Sequence, residues 1–194
     1  MNNTEKRTYS TPVEARAENE KRTIKGYALL YSTPADLGFF REEILPGAAD
    51  GVLKDDIRAL FNHDSNQILG RTAAGTTRVG TDAKGVWYEV DLPDTTLGRD
   101  LFTSIQRGDI TQSSFAFQLP EDRAGENWSE PRGEKPLRQI TKFSRLLDVS
   151  PVTYPAYQET TIAARSLEQV KKDSMPANNR GAINSIIEAN INLK

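Results

Sequence analysis

Three kinds of polar side chain in this sequence could together carry out nucleophilic chemistry, although they lie far apart in the chain. Ser113 and Ser114 begin a predicted strand directly after a turn, where a hydroxyl can face a cleft. A serine hydroxyl is a poor nucleophile unless a base removes its proton, and His63 is the only histidine. Asp148 is an acid within an otherwise apolar strand, and pairing with an imidazole N–H would offset the burial of its charge. The set is typical of a serine hydrolase.

Each of these residues also has an ordinary structural interpretation. A lone histidine is more often a surface or structural residue than a base. Serines next to a turn are common turn residues. Asp148 can pair with Lys142 or Arg145 instead of an imidazole. From the residues alone, both interpretations stay open.

The composition excludes several other chemistries. Because the chain has no cysteine and one histidine, disulfides, thiolate metal sites and sites with two imidazole ligands are impossible. We therefore expect no metal and no cofactor. The formal net charge is −2 and the arginines are dispersed among acids, so no basic stripe is available for nucleic acid. No apolar run approaches the roughly 20 residues of a membrane span, and we expect neither a nucleic acid nor a membrane as a partner.

The elements that must position the candidate residues are mostly strands. Apolar residues at four-residue spacing predict a helix over residues 96–107, and Gly108 is the expected C-terminal cap. A strand is predicted to follow, with Ser114 near its start. Many short strands and one clear internal helix predict a mainly β fold with accessory helices (α+β), arranged as a β-barrel. The other predicted strands cover residues 13–17, 23–31, 57–61, 77–80, 86–92, 137–143 and 146–153.

The ends of the chain differ from its centre. We expect a flexible N-terminus over residues 1–11 and one domain over residues 12–165. Within that domain, residues 120–136 are highly charged and contain three prolines, which predicts a long loop or lid. Residues 166–181 are polar and indicate a flexible linker. Residues 182–194 predict a short amphipathic helix, because their isoleucines fall on one helical face.

An ordered series of motifs runs through the central part of the chain. It comprises Gly26-Tyr27-Ala28, the run from Phe39 to Ala48, Asn62-His63-Asp64, Leu69-Gly70-Arg71, Gly108-Asp109-Ile110, Ser114-Phe115-Ala116-Phe117 and the run from Asp148 to Ala156. The series resembles the prohead (capsid maturation) serine proteases of tailed bacteriophages, which share their fold with the herpesvirus assemblins. The resemblance covers about residues 24–164 and implies a herpesvirus-protease-like β-barrel.

The resemblance implies a role for each candidate residue. Ser114 becomes the nucleophile, because the serine of the family directly precedes an aromatic-small-aromatic triplet. His63 becomes the general base and Asp148 the acid that orients it. The family often has Glu where Asp148 stands, so this shorter side chain must approach the imidazole more closely. Gly70 and Arg71 are candidates for oxyanion stabilisation or positioning, since backbone N–H donors leave no side-chain signature.

The function that the resemblance implies is that of a viral capsid maturation serine endopeptidase with a Ser-His-acid triad. Such an enzyme cleaves the scaffold protein, or the scaffolding segment of the major capsid protein, inside a prohead assembled in the host cytoplasm. It then cleaves itself, and residues 166–181 are the expected site because exposed flexible chain is cut most readily. The herpesvirus enzymes depend on dimers, so a homo-oligomer is also an expectation. The alternative from another class is a non-catalytic β-barrel adaptor or scaffold-binding module in capsid assembly.

Overall fold

The computed structural model describes residues 4–18 and 21–154. All of these belong to the first of two units into which the chain divides, Met1–Glu159. The predicted linker over 166–181 and the predicted helix over 182–194 lie outside the described residues. The described chain forms β1 (Thr4–Tyr9), β2 (Glu14–Glu18), β3 (Lys21–Leu30), β4 (Ala35–Asp36), β5 (Arg41–Ile44), β6 (Arg58–Phe61), β7 (Asp64–Arg71), β8 (Thr77–Thr81), β9 (Gly85–Asp91), α1 (Thr96–Arg107), β10 (Gln112–Gln118), β11 (Glu126–Ser129), β12 (Leu137–Ile140) and β13 (Arg145–Val152). Single 3₁₀ turns occur at Asp50–Val52 and Thr72–Ala74.

The described strands form three sheets. One sheet has the order β1-β10-β13-β6-β7, a second has the order β11-β12-β5-β4, and the third has the order β2-β3-β9-β8. Most neighbours are antiparallel, but β6 runs parallel to β13 and β5 runs parallel to β12. The predicted mainly β class is confirmed. The predicted barrel is not, because the described strands do not close into one continuous sheet.

Alternation along β10 separates an apolar face from a polar one. Phe115 and Phe117 point into the core, where their rings lie 5.1 Å apart and the Phe117 ring lies 4.7 Å from the ring of Phe143. Because successive side chains of a strand point to opposite faces, Ser114 and Ala116 lie on the other face of β10. The aromatic cluster therefore fixes the register that turns Ser114 away from the core.

Helix α1 leads directly into β10, and its ends form as the sequence predicts. The Thr95 hydroxyl caps the first turn, and Gly108 ends the helix in the left-handed region with a φ of 81°. Leu101, Phe102 and Ile105 form the buried face. The predicted helix boundaries and the predicted C-terminal cap are thus confirmed. No helix among residues 4–18 and 21–154 is long and apolar enough to cross a membrane.

Two segments that were predicted to be irregular are strands. The predicted flexible N-terminus contains β1, which pairs antiparallel with β10 over its whole length. The predicted loop over 120–136 contains β11, which pairs antiparallel with β12. Each segment contributes a buried carboxylate that pairs with Arg138 on β12, Glu5 from the first and Glu126 from the second.

These distant pairs form a buried charge cluster between β1, β5, β11 and β12. The Arg138 guanidinium lies 2.8 Å from carboxylate oxygens of both Glu5 and Glu42, and Arg7 Nε lies 2.6 Å from Glu42 Oε1. Burial alone would raise the pKa of Glu5, but hydrogen bonds and charge from Arg138 and Arg7 outweigh it and lower that pKa. The cluster attaches β1 to the second sheet. Its members are Glu5, Arg7, Glu42, Glu126, Arg138 and, at its rim, Arg123.

Candidate active site

Ser114 and Asp148 are brought together by the pairing of β10 with β13. Ser114 lies opposite Ser150, and Ala116 lies opposite Asp148. Directly opposed residues of an antiparallel pair share a face of the sheet, with Cβ atoms about 4.5–5.5 Å apart. The hydroxyl and the carboxylate are therefore neighbours on the face opposite the aromatic core.

His63 reaches this face from a tight turn between β6 and β7. Phe61 pairs with Asp64, so Asn62 and His63 alone form the turn, and their φ angles are 55° and 57°. Two left-handed residues are what a two-residue hairpin turn of the I′ type requires. A left-handed residue other than glycine or asparagine costs about 1–2 kcal/mol. The predicted strand over residues 57–61 is confirmed as β6, and the strained turn follows its end directly.

The turn is attached to the end of β13 by Asn62. Its backbone N–H donates to the Pro151 carbonyl over 3.1 Å. Its side-chain oxygen accepts from the Thr153 N–H over 2.9 Å, and its side-chain NH₂ donates to the Thr153 hydroxyl over 3.2 Å. Because β13 also carries Asp148, these contacts hold the imidazole and the carboxylate in one local unit.

The imidazole lies between the hydroxyl and the carboxylate. His63 Nε2 is 2.6 Å from Ser114 Oγ, and His63 Nδ1 is 2.6 Å from Asp148 Oδ1. An ionised carboxylate can only accept, so Nδ1 carries the proton and the Nε2 lone pair faces the hydroxyl. The side chains of His63 and Asp148 are only 6% and 11% exposed. In this arrangement the imidazole can take the Ser114 proton while the acid keeps its orientation.

Ser114 has a second acceptor for its proton. Its hydroxyl donates to the Arg7 carbonyl of β1 over 2.8 Å, and the residue is fully buried. A hydroxyl has one proton, so the Arg7 carbonyl and His63 Nε2 compete for it. This contact was not predicted, because it depends on β1, which lies in the segment that was expected to be flexible.

The neighbouring serine has a separate environment. Ser113 is also fully buried, but its hydroxyl lies 2.8 Å from the Tyr88 hydroxyl on the core side of β10. Burial raises the pKa of Tyr88 far above its ordinary value, so its phenol is neutral and suited to this neutral hydrogen bond. Of the two adjacent serines, only Ser114 faces His63.

Gly70 and Arg71 are not brought to the hydroxyl. Both lie on β7, which is separated from β10 by β6 and β13. Arg71 makes a two-pronged ion pair with Asp56 at 2.8 and 2.6 Å. A Cβ at Gly70 would lie 2.4 Å from the Thr77 hydroxyl, so this glycine is explained by close strand packing. Among the described residues, no group of three or more histidine or acidic side chains could hold a metal ion.

Comparison with known proteins identifies a family and similar solved structures. The profile of a family described as caudovirus prohead serine protease matches residues 9–173. Among solved structures, the bacteriophage T4 capsid assembly protease, gp21, is similar, with 13% sequence identity and a TM-score of 0.47 over 78% of this chain and 98% of that chain. No curated protein matches the chain at a significant level. The segment matched by the family profile contains Ser114, His63 and Asp148.

Proposed function

The chain belongs to the caudovirus prohead serine protease family, and from this premise we propose that it is a serine endopeptidase whose triad is Ser114, His63 and Asp148. One observation carries the proposal. Three side chains separated by 51 and 85 residues in the sequence meet through two contacts of 2.6 Å. Packing alone does not require a lone imidazole to lie between a hydroxyl and a carboxylate, and this order of groups is the one that nucleophilic catalysis uses.

In the proposed mechanism, Ser114 Oγ attacks the carbonyl carbon of the scissile peptide. His63 Nε2 accepts the hydroxyl proton during attack and then donates it to the departing amine, which leaves an acyl-enzyme. Asp148 stays ionised and stabilises the imidazolium that forms between these steps. Water then attacks the ester, with His63 again taking and returning a proton, and this step releases the acid product and restores Ser114.

The proposed substrates are the scaffold protein or the scaffolding segment of the major capsid protein, within the interior of a prohead. The protease domain would cover the predicted residues 12–165 together with β1, and self-cleavage within residues 166–181 would end its action. The herpesvirus-protease-like barrel and the homo-oligomer stay predictions that rest on the family resemblance. Family membership supports a capsid or scaffold substrate, because a prohead protease acts where these proteins are concentrated.

The test uses the full-length chain and two variants that differ by one adjacent serine. Wild type, Ser114→Ala and Ser113→Ala are each purified and incubated with scaffold protein and with major capsid protein, and intact masses are recorded. We expect wild type and Ser113→Ala to cleave a substrate and to lose a C-terminal piece, with the cut within residues 166–181. We expect Ser114→Ala to keep its full mass and to leave the substrate intact.

Two outcomes would contradict the proposal. Cleavage by Ser114→Ala at the wild-type rate would show that the nucleophile is another residue. Stable binding of scaffold protein by a wild-type chain that cleaves nothing would instead support the non-catalytic adaptor. The unchanged circular dichroism spectrum of each variant serves as the control for folding.

A further inference from the structure

A fourth side chain lies against the acid and the imidazole. Ser150 follows Asp148 by two residues on β13 and therefore shares its face, and Ser114 lies directly opposite on β10. Ser150 is fully buried. Its Oγ lies 2.8 Å from Asp148 Oδ1 and 3.4 Å from His63 Nδ1.

The direction of the Ser150 hydrogen bond follows from the tautomer of His63. Since Nδ1 carries the proton that points to Asp148, it has no lone pair to offer to another donor. The Ser150 hydroxyl is a donor as well as an acceptor, and the acceptor within 2.8 Å is Asp148 Oδ1. One carboxylate oxygen thus accepts from both His63 and Ser150.

We propose that Ser150 is a positioning residue of the reaction, which fixes the Asp148 carboxylate and, through it, the His63 ring. This inference rests on the proposed function of the site. An aspartate has two rotatable side-chain bonds. With the hydrogen bond to His63 alone, the Asp148 carboxylate could still turn about the line from its Oδ1 atom to His63 Nδ1. A second donor from the same strand removes that freedom. A reacting group displaced by about 1 Å can lower the rate about 100-fold, so the loss of this donor should reduce kcat.

Ser113 supplies a matched control for this experiment. Ser113 and Ser150 are both fully buried, and each hydroxyl makes a hydrogen bond of 2.8 Å. Ser113→Ala and Ser150→Ala should therefore lose similar stability. We expect Ser150→Ala to lower kcat by about 10- to 100-fold with KM within about twofold of wild type. We expect Ser113→Ala to keep the wild-type kcat. Equal kcat values for the two variants would overturn the proposal.

Two further measurements separate positioning from a general loss of structure. Because Ser150 is proposed to act through Asp148, Ser150→Ala should cost little additional activity in an Asp148→Ala background. The proton on His63 Nδ1 gives a downfield ¹H NMR signal, and Ser150→Ala should shift or broaden it while Ser113→Ala leaves it unchanged. The signal needs no peptidase activity, so it tests the Ser150 contact even if the wild-type chain cleaves nothing. An unchanged signal in Ser150→Ala would overturn the inference, whatever the fate of the proposed function.

Discussion

Replacing Asn62 tests whether the left-handed turn holds His63 in place. Asn62→Ala removes two side-chain hydrogen bonds to Thr153 and leaves a residue with a φ of 55° that alanine does not favour. Each exposed hydrogen bond contributes about 0.5–1 kcal/mol, and the left-handed conformation of a Cβ-bearing residue costs about 1 kcal/mol. The sum is about 2–3 kcal/mol. Asn62→Gly loses the same hydrogen bonds but not the conformational preference, so it should be about 1 kcal/mol more stable than Asn62→Ala.

Urea unfolding and peptide cleavage should be measured on the same preparations. For a chain of this length, 1 kcal/mol corresponds to a change of about 2–4 °C in Tm, so thermal unfolding gives a second estimate. Asn66→Ala is the control, because Asn66 lies in the same hairpin and donates from its side chain to Asp64 over 3.0 Å without a left-handed φ. We expect both Asn62 variants to lower kcat and Asn66→Ala to keep it. Equal stabilities of Asn62→Gly and Asn62→Ala would refute the role assigned to the turn conformation.

Four other predictions follow from the contacts. Asp148→Asn should lower kcat by about 10⁴-fold, because an amide can donate to Nδ1 and so favour the wrong tautomer; a loss below tenfold would argue against its orienting role. Arg138→Leu should destabilise the fold by about 3–5 kcal/mol in urea, because the three buried carboxylates of the cluster would then keep only one buried guanidinium, that of Arg7. The pKa of Glu5 is lower in the folded chain than in the unfolded one. The stability that the Glu5 carboxylate contributes is therefore complete at neutral pH and is lost as pH falls below about 4–5. Between pH 7 and pH 3, the free energy of unfolding should fall less steeply in Glu5→Gln than in wild type. Gly70→Ala should destabilise by about 1–3 kcal/mol through the clash with Thr77 while leaving kcat unchanged, and a selective loss of kcat would restore the oxyanion role.

Local patterns in the sequence were enough to predict α1 and the strands β8 and β9. The capping hydroxyl of Thr95, the apolar face and the terminal Gly108 all lie within about 15 residues, so no distant contact is needed to interpret them. The acid-histidine pair was also accessible, because an acid in an apolar strand indicates a partner. The choice of Ser114 over Ser113 depended on family resemblance, and the structure gives the physical reason in the opposite faces of β10.

The structural features that were not predicted from the sequence depend on contacts between distant segments. The polar composition of β1 indicated a flexible tail. In the structure its charged residues join a buried cluster whose carboxylates and guanidiniums come from four different strands, and a cluster of this kind leaves no local pattern in the sequence. The left-handed turn at Asn62 lacks the glycine that usually signals such a conformation. Ser150 lies two residues after Asp148 on β13, but the contact of its hydroxyl with that carboxylate depends on side-chain geometry that the sequence does not show. Gly70 and Arg71 were candidates for oxyanion stabilisation or positioning, but β7, which carries them, is separated from the Ser114 strand by β6 and β13.

The complete burial of Ser114 has a consequence for when such an enzyme could act. A carbonyl carbon cannot come within bonding distance of an oxygen that has no accessible surface, and the strand whose Arg7 carbonyl accepts from that oxygen is held by buried ion pairs. Under the proposed mechanism, a copy in this conformation is latent, and an uncovering motion has to precede the first acylation. The kinetic signature is a rate of modification by small electrophiles that reaches a plateau as reagent concentration rises, since the plateau measures the frequency of opening. For an enzyme confined with its substrates, the frequency of opening would set the time at which maturation cleavage begins.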